Sequence, residues 1–145
     1  MSRRLAREAA LRSLFQIEAG HALPEEALEY NVAELALSSL VAGYAEEVVQ
    51  GTLEHQKEID ELISLHTVGW AFDRLPRTDR AILRMAVFEL CYKRDEVPVA
   101  VVINEAVELA KLYGDDASGS FVNGILAAIA AAMDSGRATS SPVEQ

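Results

Sequence analysis

The sequence predicts an all-α fold, with six or seven helices around one core or as two adjoining half-bundles, and three observations carry this. Apolar residues recur every three or four positions along most of the 145 residues. No stretch keeps the strict alternation of a half-buried strand. Proline and glycine stand where helices open and close, as at Pro24, Pro98, Gly20 and Gly114. This length is most simply one domain with a core of its own, residues 1–134, followed by a polar, aperiodic tail at 135–145 that reads as disordered.

The elements follow in order. Ser2 is placed to cap a first helix whose stripe is Leu5, Ala9, Leu11, Leu14, Phe15 and Ile17, closed by Gly20. Pro24-Glu25-Glu26 opens a short second helix carrying Ala27, Leu28 and Val32. A longer helix is expected over 40–66, bent or broken at Gly43 and Gly51. After the break at Leu75-Pro76, Ile82, Leu83, Ala86, Val87, Leu90 and Cys91 mark the central, most buried helix. Trp70 and Phe72 read as packing anchors beside it.

The stretch from Val101 to Met133 holds two more helices. The first starts after Pro98 and buries Val102, Ile103, Ala106, Leu109 and Ala110, with Gly114 as a left-handed stop. Asp115, Asp116 and Ser118 are N-cap residues for the second, which buries Phe121, Val122, Ile125, Leu126, Ile129 and Met133. Asn123 and Gly124 are poor helix formers inside it. Either they serve close packing and core hydrogen bonding or they belong to a functional surface.

Charge is divided unevenly. The total is −10, yet Arg3, Arg4, Arg7 and Arg12 against Glu8 leave the first sixteen residues at +3. Cations there oppose the helix macrodipole, which hints at a use beyond folding, the alternative being a solvated, ion-paired face. From Glu18 to Asp73, twelve acidic side chains face Lys57 alone. A second basic cluster follows: Arg77, Arg80 and Arg84 at spacings of three and four, with Asp79 beside them and Arg74 upstream. An acidic body excludes a broad nucleic-acid-coating surface but leaves room for a local basic one.

Catalytic and metal-binding equipment is absent from the sequence. His21, His55 and His66 lack zinc spacing, and no phosphate loop, nucleophile elbow or CxxC pair occurs. Glu89, between Phe88 and Leu90, is the one carboxylate in an apolar setting, and pairing with an arginine or a helix boundary accounts for it equally well. Cys91 lies in an apolar run, where a buried free thiol is expected. No signal peptide or membrane-spanning run is present, so the expected setting is the cytoplasm, with no membrane partner. No enzyme activity, cofactor or metal is expected, and a binding protein is favoured.

Four segments, RRLAREAALRSLFQ, DRLPRTDRAILRMAVFEL, VPVAVVINEAVELAKLYG and SGSFVNGIL, resemble the NusB family of bacterial transcription antitermination factors in order and spacing, from Arg3 to about Ile129. INEAVELAK followed by FVNG is the specific part. The resemblance implies an RNA-binding adaptor that pairs with the ribosomal small-subunit protein acting as NusE, binds boxA-type RNA, and supports the RNA polymerase antitermination complex on ribosomal RNA operons. Arg3, Arg4 and Arg7 would then contact RNA, with Arg77, Arg80, Phe121 and Asn123 as further candidates. Phe15, Asp79, Asp115 and Asp116 would lie toward the protein partner. Self-association through the RNA-binding surface stays open.

Two departures from the family pattern bear on affinity. Many members carry a longer basic N-terminal arm and a lysine before FVNG, where this chain has Ser120. Fewer cations release fewer counterions, so RNA binding by the chain alone is expected to be weaker and less salt-sensitive. Ala117 also stands where an acidic residue is common. Two other readings fit a NusB-like helical domain: a relative of the N-terminal domain of ribosomal RNA cytosine methyltransferases, and a helical interaction module without an RNA role.

Overall fold

The computed structural model describes residues 3–67, 69 and 71–135, so the expected anchor Trp70, the cap Ser2 and the tail from 136 onward lie outside the described residues. Among these residues the chain forms seven α-helices and no strand: α1 (Arg4–Gly20), α2 (Pro24–Glu34), α3 (Ser39–Glu54), α4 (Gln56–Leu65), α5 (Arg77–Tyr92), α6 (Val99–Tyr113) and α7 (Ser118–Asp134), with a 3-10 turn at Phe72–Arg74 before α5. The all-α expectation holds.

The helices divide into two compact units, Met1–Glu54 and His55–Gln145. In the first, α2 and α3 both pack on α1 around Ala6, Ala10, Leu11, Leu14, Val48 and Val49. Alanines on α1 let the helices approach closely. Asn31, buried on α2, donates to Gln16 Oε1 at 3.0 Å and to the Ala27 carbonyl at 2.8 Å, so one amide ties α2 to α1.

In the second unit, α5 packs on α4, α6 and α7, and it is buried without interruption from Asp79 to Cys91. Its expected place as the central helix is confirmed. Ile59, Leu62, Ile82, Leu83, Leu126 and Ile129, from α4, α5 and α7, are among the unit's fully buried side chains, each contributing about 1.5–3 kcal/mol of hydrophobic stabilisation. Cys91 is buried and free.

One boundary differs from the sequence reading. The helix expected over 40–66 is two, and the break falls at His55, not at Gly43 or Gly51, which lie inside α3. The chain passes from one unit to the next at His55, whose ring stacks on Tyr92 with centroids 4.1 Å apart. This cause is tertiary and leaves no local mark. α1 ends at Gly20 as read, and the left-handed residue after it is His21, with φ 57°; histidine is one of the few side chains that visits this region readily.

Gly114 is not left-handed, having φ −97° and ψ −166°. Its glycine is needed for space. A Cβ there would collide with Ser118 Oγ and lie 2.6 Å from Ser118 Cβ and 2.8 Å from the Ala110 carbonyl oxygen. The turn between α6 and α7 closes this tightly because Ser118 is drawn inward.

Candidate nucleic-acid interface

In the first unit the basic cluster of α1 separates by depth. Arg4 is exposed and Arg3 half-buried, whereas Arg7 is only 4% exposed. Both Arg3 and Arg7 face the buried ring of Tyr44 on α3, with their guanidinium carbons 4.2 and 5.9 Å from its centroid. A cation over a ring face is held without losing its charge. Arg3 is therefore steadied at the surface, where a guanidinium can meet an anion, while Arg7 serves mainly to hold the start of α1.

Tyr44 as an arginine platform went unread in the sequence. It occupied an apolar phase of α3 and looked like ordinary core. Arg12, the fourth member of the cluster, is spanned by Glu8 at 3.8 Å. Toward the other end of α1, Phe15 is exposed, as is Leu5 near its start, although both belonged to the expected apolar stripe.

The second basic cluster, in the second unit, is split in the same way. Arg74 and Arg77 are exposed, but Arg80 and Arg84 are 8% and 9% exposed. Arg84 makes a bidentate pair with Asp60 of α4, at 2.8 and 2.9 Å. Both buried guanidiniums also lie over the Phe72 ring, at 5.6 and 5.2 Å, so Phe72 anchors through cation–π contact rather than by filling a gap. Arg80 Nη1 donates to the Phe72 carbonyl at 3.5 Å. The three arginines that the spacing groups together are thus split, with two of them turned inward.

Asp79, in the first turn of α5, is buried, and Ser118 Oγ donates to its Oδ1 at 2.7 Å. Ser118 also lies 3.2 Å from Asp115 Oδ1 and accepts from the Asp115 amide at 3.0 Å. Asp115 Oδ1 accepts from the Ala117 amide at 2.9 Å. Burial pushes the Asp79 carboxyl above its ordinary 3.8, the Ser118 hydrogen bond opposes this, and the neighbouring Asp115 charge adds to it. Asp79 thus secures the acidic turn from beneath, while Asp115 and Asp116 are exposed. Asp115, Asp116 and Ser118 were expected to cap α7, but its N-cap is Ala117 with no side-chain cap hydrogen bond, and Ser118, the first residue of the helix, instead ties α5 to the turn.

On α7, Phe121 is half-buried and Asn123 and Gly124 face solvent. The close-packing explanation for Gly124 does not hold, because a Cβ there meets nothing within 4 Å. Gly119 is the glycine in contact, with a Cβ position 3.4 Å from Lys111 Cγ. Asn123 and Gly124 therefore spend helix propensity on an exposed surface, where packing gives no reason for them.

Glu89 is buried in the middle of α5, not at a helix boundary. No group of three or more His, Cys, Asp or Glu side chains among the described residues is arranged to hold a metal ion. No helix among them is long and apolar enough to cross a membrane.

Comparison with known proteins gives one answer. The sequence model of the NusB family matches residues 4–131. The transcription antitermination protein NusB of Bacillus subtilis is 47% identical over 129 residues, covering 89% of this chain and 95% of that protein. Among solved structures, T. maritima NusB aligns with a TM-score of 0.83 and 38% identity, covering 90% of this chain and 92% of that one. A structure of the antitermination factors NusB and NusE in complex with double-stranded RNA aligns with a TM-score of 0.82 and 33% identity, covering 90% of this chain and 96% of its counterpart.

Proposed function

The chain belongs to the NusB family, and from that premise we propose that it is a transcription antitermination factor, an RNA-binding adaptor that works with the ribosomal small-subunit protein acting as NusE. The observation that carries this reading is the likeness, over 90% of the chain, to NusB in a complex with NusE and RNA. RNA of boxA type is the ligand. The chain works in the cytoplasm with RNA polymerase on ribosomal RNA operons, and it positions partners rather than catalysing a reaction.

The chemistry is charge neutralisation with a local address. Arg3 and Arg4 supply phosphate contacts on the first unit, with Arg7 and Tyr44 positioning the start of α1. On the second unit, Asn123 offers an exposed amide with both donor and acceptor for a base edge or a 2′-hydroxyl, and Arg77 offers a further exposed cation. Phe121 contributes through its partly exposed ring. Arg80 supports the fold of α5 beneath Arg77.

Phe15 on the first unit and Asp115 and Asp116 on the second are the contacts for the protein partner. The acidic character of the turn suits a basic, RNA-binding ribosomal protein, and complementary charge accelerates encounter. Asp79 acts on this contact from below, through Ser118.

A gel-shift titration of boxA RNA tests the proposal, first with the chain alone and then with its ribosomal partner, at two salt concentrations. Weak, salt-sensitive binding alone and at least tenfold tighter binding with the partner is the expected result. RNA affinity indifferent to the partner would overturn the adaptor role.

A further inference from the structure

None of the residues assigned to RNA or to the ribosomal partner uses a groove in the first unit, which runs between α2 and α3 with a volume of about 840 Å³. Its walls are helical stripes. Leu28 and Val32 on α2 face Ala42, Val49 and Leu53 on α3, at the four- and seven-residue spacing of a single helix face. The groove exists because α2 and α3 pack chiefly on α1 and much less on each other. Its rim carries Glu25, Glu29 and Glu46, all exposed. Between Arg12 and Lys57 the sequence has eight glutamates and neither lysine nor arginine, so no cation from this stretch offsets them.

We propose that this groove docks an amphipathic helix of a partner protein, apolar along one face and basic along its edges. The other common modes of peptide recognition do not suit it. Strand addition needs a sheet edge, and no strand occurs among the described residues. Polyproline segments dock on aromatic grooves, and the lining holds no aromatic side chain. Phosphopeptides need arginine clusters, and the rim is acidic. An apolar trough between two helices, with carboxylates along its edges, is the complement of a basic amphipathic helix. Neither Arg3, Arg4 nor any residue of the acidic turn lines the groove, so it stands or falls independently of RNA binding.

The test uses the full chain and a fluorescent helical peptide of about four turns, with leucines at three- and four-residue spacing on one face and lysines elsewhere. The expected result is saturable binding that weakens several-fold as salt rises from about 50 to about 200 mM. Glu29→Lys with Glu46→Lys should weaken it at least tenfold. Gly43→Leu should do the same by filling the groove, since a Cβ at Gly43 meets nothing within 4 Å and leucine favours the helix. Unchanged or higher melting temperature in that variant separates occlusion from unfolding. Equal binding of a peptide with glutamates in place of lysines would overturn the proposal. So would unchanged affinity in both variants, or a chain dimer in sedimentation that Gly43→Leu dissolves.

Discussion

The two units handle charge in opposite ways. Among the described residues, the first buries a single charged side chain, Arg7, and keeps its glutamates at or near the surface; the second buries Asp79, Arg80, Arg84 and Glu89. Both contain arginines at helical spacing in similar sequence company. Only their surroundings differ: Arg3 stacks on a tyrosine at the surface, and Arg84 meets Asp60 inside. A basic cluster in a sequence therefore marks either a ligand surface or an internal brace, and a carboxylate from a distant helix decides which.

This contrast can be broken most directly at Arg84. Arg84→Ala is expected to cost about 2–4 kcal/mol in urea unfolding, because it strands Asp60 and removes a cation from the Phe72 ring. Asp60→Ala should cost a similar amount, and the double variant less than the sum. Fully additive losses would show that the pair is not an internal brace.

Arg3→Glu with Arg4→Glu asks the converse question of the first unit. RNA affinity should fall roughly 10- to 100-fold, with the salt slope reduced by about 0.7 for each phosphate no longer neutralised, while stability moves by less than about 1 kcal/mol. A gel shift at several salt concentrations with a parallel melt reads both. Tyr44→Leu, which keeps bulk but removes the ring face, should weaken RNA binding by a few-fold, about 1 kcal/mol, and Tyr44→Phe should preserve it.

A smaller effect sharpens the picture of the first unit's backbone. Ala36 has φ 53°, and the Leu37 amide donates to the Val32 carbonyl at 3.0 Å and the Ala36 amide to Ala33 at 3.1 Å, the paired bonds of a Schellman ending to α2. Glycine suits that left-handed position. Ala36→Gly should raise stability by about 0.5–1 kcal/mol in thermal or urea unfolding, against the usual cost of added glycine.

The smallest effect concerns the interior of the second unit. Because the folded pKa of Asp79 is raised, the native state holds that proton more tightly than the unfolded chain does. Its contribution is therefore most favourable below the ordinary value of 3.8 and declines as pH rises through the raised one. Asp79→Asn keeps an acceptor for Ser118 and should remove this component, flattening stability against pH in that window. An unchanged pH profile would show that another group produces the slope.

Much of the architecture was legible in the sequence, and the misses are informative. Pro24 and Pro98 mark the openings of α2 and α6 because a proline fits the first turn and nothing distant changes that. The long apolar phase of α5 identified the buried centre. Gly20 closes α1 as read, whereas Gly114, read as a left-handed stop, is needed instead for closeness to Ser118. A glycine signals freedom or space, and sequence alone does not separate the two.

Of the site, the sequence displayed the arginines of α1, the acidic turn and the Asn123-Gly124 pair, and left open whether that pair serves packing or surface; the structure exposes both. It did not display Tyr44 beneath Arg3, Asp60 against Arg84, or Ser118 joining Asp79 to the turn. Local propensity, periodicity and proline placement depend on neighbours within one or two turns, so the sequence alone determined the all-α class, most helix boundaries and where charge is concentrated. Which charges face water depends on partners 24 to 41 residues away in the chain, and only the tertiary structure brings those within reach.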